Sequence, residues 1–195
     1  ARNVAISGAI SGAYSPDASN ALFRIETFWR HALAVAFMAS DLASRSTQVD
    51  VPSAFTAGIL HNMGRLAMFY ADPAGLDQAV AQAMNSGRTL EEVELEMLGY
   101  DHSAVGGMLA ERWQLPSAIT EAIAHHHAEQ TQPDSLGGVV ARADAFCTKN
   151  RLLPGYVVPA PTGTHEEHGP EFVKLMKQVD SLMDLVRGTP AGVAA

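Results

Sequence analysis

The stretch His61-Asn62-Met63-Gly64-Arg65 decides how this chain is read. A histidine followed directly by an acid is a compact way for a helix to present two metal ligands. The imidazole offers a neutral nitrogen, and the carboxylate a charged oxygen able to bridge two ions. Here the second position is Asn62, which keeps the shape of aspartate and loses its charge, so it is a poor ligand for a hard or bridging cation. The motif points to metal chemistry and withholds part of what that chemistry needs.

Outward from it, apolar residues recur at helical spacing. Phe28, Leu33, Val35, Phe37, Met38 and Leu42 lie in a segment from about Asn20 to Arg45, on more than one face, as in a helix buried on much of its circumference. Pro52 opens the next helix, and the spacing predicts one continuous helix over Ala54–Tyr70 carrying the His61-Asn62 pair. Another starts at Asp72-Pro73 and stops at Gly87. Thr89-Leu90-Glu91-Glu92 is a capping box for a helix to Leu98, with Gly99 as its stop. Asp101 caps His102–Trp113, Leu115-Pro116-Ser117 leads into Ala118–His127, and a further helix spans about Ser135–Asn150. Leu153–Pro170 has four prolines and little periodicity, and reads as a loop. A helix from Pro170 to Arg187 follows, with Phe172, Leu175, Met176, Val179, Leu182, Met183 and Val186 on one stripe, expected to pack back on the domain. Residues from Gly188 on read as a frayed end. No alternating strand pattern occurs, so the expected class is all-α. The expected organisation is one helical domain over 1–152, a loop over 153–169 and a packed-back helix over 170–187.

Composition narrows function. The chain has 195 residues, 47% of them hydrophobic, enough for one substantial core. With 13 basic residues and a net charge of −8, a nucleic-acid backbone binder is disfavoured. The pattern predicts neither a membrane span nor a secretion signal, and the single Cys147 fits a reducing cytoplasm.

Of eight histidines, six are expected in helices: His31, His61, His102, His125, His126 and His127. Each has an ordinary explanation alone. His31 suits a hydrogen-bonded core position, His102 an N-cap region, and His125–His127 a helix end where positive charge is favoured. His165 and His168 are expected in solvent. Together, on separate helices, they are placed as a bundle-interior site requires. Asp144, flanked by Val140, Ala143 and Phe146, adds a carboxylate that needs a partner, because an isolated buried acid is expensive.

The ordered series Trp29-Arg30-His31, Ile59-Leu60-His61-Asn62-Met63-Gly64-Arg65, Gly99-Tyr100-Asp101-His102, Glu111-Arg112-Trp113-Gln114-Leu115-Pro116, His125-His126-His127 and Ala143-Asp144 resembles the HD superfamily of metal-dependent phosphohydrolases. Within it, the chain resembles the HDOD family, the HD-related output domains of bacterial signalling proteins. The similarity covers about Phe28–Asn150. It implies an HD-domain-like helical bundle, with His31, His61, Asn62, His102, His126, His127 and Asp144 as the metal-site positions. It also implies a helical stretch before His31, of which Val4–Ala13 would be the last helix. Catalytic cyclic-dinucleotide phosphodiesterases of the superfamily carry a lysine where this chain has Arg65, and a Gly-Tyr-Pro motif after the paired histidines. Here Ala128-Glu129-Gln130-Thr131 follows His127.

Two readings follow. In the first, a metal-dependent phosphohydrolase holds one divalent ion (Fe, Mn, Zn or Mg) at His31, His61 and Asp144 and a second at His102, His126 and His127, with Arg65 contacting phosphate. In the second, which Asn62 favours, the scaffold is a non-catalytic bacterial signalling module that binds a nucleotide-like ligand or a partner protein, with metal bound weakly or not at all. A third assigns the histidines a structural role.

Overall fold

Ile25–Ser44 forms α1, and nearly its whole circumference is covered: Phe28, Ala32, Leu33, Ala34, Val35 and Ala36 have no measurable exposure. This computed structural model describes residues 22–128, 132–156 and 168–187. The small side chains of α1 let neighbours come close. Gly58 is one such contact: a Cβ there would lie 2.8 Å from the Ala36 Cα. Against α1 pack α2 (Val51–Leu60), α8 (Leu136–Lys149) and α9 (Pro170–Arg187).

Around this core run α3 (Met63–Ala71), α4 (Pro73–Ser86), α5 (Leu90–Leu98), α6 (His102–Arg112) and α7 (Ser117–Ala124). Their starts follow local chemistry. Asp50, Asp72, Asp101 and Ser135 each accept a backbone N–H three residues on, satisfying donors that the first turn leaves unpaired. Thr89 and Glu92 form the capping box of α5. Gly87 and Gly99, both left-handed, end α4 and α5. Among the described residues all regular structure is helical, as the periodicity predicts. Phe172, Leu175, Val179 and Met183 of α9 are buried, and Arg30 of α1 pairs with Asp180 at 2.8 Å.

Besides α1, which starts at Ile25 rather than near Asn20, two helix boundaries at the site differ from expectation. Ala54–Tyr70 is not continuous: α2 ends at Leu60, His61-Asn62 form a turn, and α3 restarts at Met63 with the Arg65 N–H on the Asn62 carbonyl. The redirected α3 lies on the first turn of α6. A Cβ on Gly64 would stand 1.9 Å from the His102 carbonyl oxygen, so only glycine permits the contact. Gly64→Ala is expected to cost about 3 kcal/mol, because the obstacle is backbone, and a denaturant midpoint unchanged from the native chain would refute this packing argument. The second difference is α7, which ends at Ala124. His125–His127 form a turn, because the His126 Nδ1–H bonds the Ile123 carbonyl and ends the ladder. Four of the six histidines expected in helices thus lie in turns, and only His31 and His102 are helical. Val4–Ala13, the residues from Gly188 and most of the Pro-rich loop lie outside the described residues.

Candidate metal centre

The two turns and the two helical histidines face one another. His31 comes from α1, His61 and Asn62 from the α2–α3 turn, Arg65 from α3, His102 from the first position of α6, His126 and His127 from the turn after α7, and Asp144 from α8. They form two triads. In the first, Asp144 Oδ1 lies 3.0 Å from His31 Nε2 and 3.8 Å from His61 Nε2, and those two nitrogens are 3.4 Å apart. In the second, His102 Nε2 and His127 Nε2 are 3.1 Å apart, and the His126 and His127 ring centres 4.0 Å. Within each triad the ligand atoms lie within 4.8 Å of one another. His61 and His126, ring centres 5.0 Å apart, join the two.

The ring orientations are set from behind. In all five histidines Nδ1 meets an acceptor: the Leu152 carbonyl for His31 (2.7 Å), the Gly58 carbonyl for His61 (2.6 Å) and the Ile123 carbonyl for His126 (2.8 Å). Glu94 Oε2 accepts from His102 (2.6 Å) and Glu91 Oε1 from His127 (2.9 Å). Anchoring Nδ1 turns every Nε2 lone pair toward the centre, the arrangement that outer partners impose on metal-ligating histidines. The buried His126 Nε2 has no hydrogen-bond partner. Buried polar atoms seldom stay unpaired, so this one marks where a cation fits. In the first triad, a proton or a cation is likewise needed to make the contact between His31 Nε2 and the Asp144 carboxylate favourable.

Electrostatics keep the donors in ligating form. Burial pushes the His61, His102 and His126 pKa values down. The Arg65 charge lowers His102 further, and neighbouring His127 lowers both His102 and His126. Burial alone would raise Asp144, but the adjacent His31 and His61 rings outweigh that and hold it well below the usual carboxylate range. The same opposition, won by His127, holds Glu91 low. Neutral imidazoles beside ionised carboxylates are the protonation states that metal binding requires.

Asn62 departs from this pattern. Its Nδ2 donates to His61 Nε2 at 2.7 Å and its Oδ1 accepts from the Arg65 guanidinium at 3.3 Å. Arg65 only donates, so it fixes which way the amide points. The amide therefore covers the His61 lone pair that an ion would use. Arg65 is itself committed: buried to 2% exposure, it bonds Glu94 through Nε at 3.2 Å and lies against the His102 ring, 2.8 Å from Nδ1. The donors thus fit an ion at either triad once a neighbour moves aside: the Asn62 amide at His61, and the Arg65 guanidinium, whose terminal nitrogen lies 3.1 Å from His102 Nε2, at the three-histidine triad. They do not fit a charge-bridged pair. A cavity of about 290 Å³ opens over the centre, lined by Asn62, Arg65, Glu91, His127, Asp144 and Tyr156.

His125 is exposed, its Nδ1 against the Glu121 carbonyl, and stands outside both triads. His168 is exposed, with its ring 4.7 Å from that of Phe172, and His165 lies outside the described residues. Sequence reasoning missed Glu91 and Glu94. Glu94 sits beside Val93 and one turn past Leu90, on the covered side of α5, so the argument that an acid among apolar neighbours needs a partner applied to it as it did to Asp144.

An all-helical bundle with histidines converging from separate elements defines an HD-type domain. The HDOD domain profile matches residues 1–129, and the chain belongs to the HDOD family. A Treponema pallidum protein of uncharacterised function is 24% identical over 128 residues, which cover 65% of this chain and 25% of that one. An HDOD domain protein of unknown function from Geobacter sulfurreducens superposes with a TM-score of 0.67 at 24% identity, over 95% of this chain and 66% of that chain. A Shewanella amazonensis protein, whose name proposes a phosphohydrolase, gives 0.63 at 25% identity over 96% and 66%. One from Marinobacter aquaeolei, whose name proposes a signal transduction protein, gives 0.66 at 21% identity over 96% and 42%. This chain thus spans a quarter of the Treponema relative and just under two thirds of the Geobacter and Shewanella chains. Among the described residues no helix is long and apolar enough to cross a membrane.

Proposed function

We propose that this chain is a signal-transduction output domain whose HD-type pocket binds without hydrolysing. The observation that carries the reading is the Asn62 amide, bonded to both His61 Nε2 and Arg65. In a binuclear site, a carboxylate shared by both ions helps hold the pair together and place the bound water whose pKa they lower. Asn62 supplies no charge, and its N–H occupies a lone pair that the first ion would use. Arg65 does not give up its proton at neutral pH, so it cannot serve as general acid. What remains is a binding site. His102, His126 and His127 would hold one divalent ion, with Glu94 and Glu91 behind two of them, and three imidazoles favour Zn, Fe or Ni over Mg. Such an ion supplies a Lewis-acid position for an anionic group of a ligand. The output would pass to a signalling partner protein or follow from a nucleotide-like ligand in the cavity, within a cytoplasmic compartment.

A second reading, a metal-dependent phosphohydrolase, is favoured by the two complete triads. The two separate cleanly. The chain incubated with Fe²⁺, Mn²⁺ or Zn²⁺ and a phosphodiester is expected to show no turnover above the metal-only control. Turnover that is lost in His126→Ala would establish the phosphohydrolase instead.

A further inference from the structure

Glu91 and Glu94 sit on one helix, three residues apart, and reach two different ligand histidines. That helix is weakly tied to the bundle. Among the described residues, α5 packs mainly on α4, and α4 on its chain neighbour α3. Leu76 and Asp77 hold the start of α4, through the main core and the Phe23 backbone N–H, and Leu98 touches that core at the end of α5. Between these points, the tip from Ala79 to Glu94 has its own small core of Ala79, Val80, Ala83, Leu90 and Val93, with Tyr156 against it. Its seam with the bundle is largely hollow. The cavity of about 290 Å³ lies on one side of Glu91, and one of about 600 Å³, reaching Leu95, Ser103 and Ala124, on the other. In that seam the buried Ser103 hydroxyl has no partner. Among the described residues, the bonds of Glu91 to His127 and of Glu94 to His102 and Arg65 cross it.

We propose that Glu91 and Glu94 are positioning residues through which the state of the three-histidine triad seats the α4–α5 tip, so that filling the triad fixes the tip and emptying it frees the tip. The inference rests on the reading of that triad as an ion site. An ion on Nε2 makes the Nδ1–H a stronger donor and tightens its bond to the carboxylate behind. By reciprocity, a seated tip then favours the ion by the same factor.

The test is hydrogen exchange of the full chain, with Zn²⁺ alone as probe and calorimetric titration in parallel. Saturating Zn²⁺ is expected to slow exchange of the α5 amides about tenfold, with α1 and α2 unchanged. Glu91→Gln and Glu94→Gln are each expected to weaken Zn²⁺ binding by about 10- to 100-fold and to shrink the α5 protection. Glu91 is partly exposed, so its variant folds even if that of Glu94 does not. Val80→Ala, remote from the histidines, is expected to speed exchange of the tip while leaving the Zn²⁺-dependent ratio in place. Tip exchange unchanged at full Zn²⁺ occupancy, a uniform change over every helix, or no Zn²⁺ binding would each overturn the inference. Phosphodiester turnover by the loaded chain would overturn the non-catalytic reading and leave this one standing.

Discussion

Glu94→Ala is expected to lower unfolding stability by about 3–5 kcal/mol, the usual cost of removing one partner from a buried charge pair. Glu94 has no measurable exposure. Its carboxylate meets the Arg65 Nε–H, the His102 Nδ1–H and the His102 backbone N–H, at 3.2, 2.6 and 3.0 Å. Truncation leaves a buried guanidinium without its counter-charge and unmakes two further bonds. The same reasoning predicts partial recovery in the double variant Glu94→Leu, Arg65→Met, because replacing a whole buried pair with apolar groups costs far less than breaking it. A double-mutant cycle on denaturant midpoints measures the coupling. A loss below about 1 kcal/mol for Glu94→Ala would show that the pair behaves as a solvated surface bridge, contrary to this packing.

Acid is expected to unfold the protein in two stages. His61, His102 and His126 have folded pKa values below their ordinary value of 6.5. Above pH 6.5 they are neutral in both states and contribute nothing to the pH dependence. Below it the unfolded chain takes up protons that the folded chain does not, so stability falls as pH falls. The slope is about 1.4 kcal/mol per pH unit for each histidine kept neutral, so up to about 4 kcal/mol per unit for three. Asp144 and Glu91 act at lower pH. Their folded values lie below the unfolded ones, so their contribution is complete above about pH 4 and is lost as pH falls through the folded values. Equilibrium unfolding between pH 8 and 4 checks this, with a flat upper limb and a break near 6.5. A stability maximum at pH 5 would contradict the burial of neutral histidines.

Much of the centre is legible before any coordinates, because its parts announce themselves through local chemistry. Asp101 before His102 marks both a cap and the candidate ligand it places, and Pro116 marks the start of α7. The motif order identifies the seven positions that the structure gathers. The boundaries around the ligands are less legible, for a physical reason. Apolar spacing runs unbroken through Ala54–Tyr70, yet the chain turns at His61-Asn62 because Gly64 must meet the backbone of α6. That contact is 38 residues away in sequence and leaves no mark on local periodicity. The end of α7 is similar: the His126 side chain stops the helix by bonding the Ile123 carbonyl, which no propensity scale anticipates. The capping box gives the first-turn acid Glu91 a sufficient local explanation, whereas Glu94, beyond that turn, is marked by its apolar neighbours Leu90 and Val93.

The orientation of the Asn62 amide required coordinates and carries most of the functional argument. An asparagine in place of an aspartate suggests lost charge. Its bonds to His61 Nε2 and Arg65 add that the amide takes up a ligand lone pair, and they explain why Arg65 accompanies it, since a guanidinium can hold the amide oxygen while bonding Glu94.

The most direct measurement is metal content of the native chain and of Asn62→Asp, each purified without added metal, with phosphodiester hydrolysis assayed on the same samples. The account predicts at most one equivalent and no hydrolysis for the native chain, with a second equivalent gained in Asn62→Asp as the shared carboxylate returns. A native chain that holds two equivalents of Fe, Mn or Zn and hydrolyses the diester would contradict it.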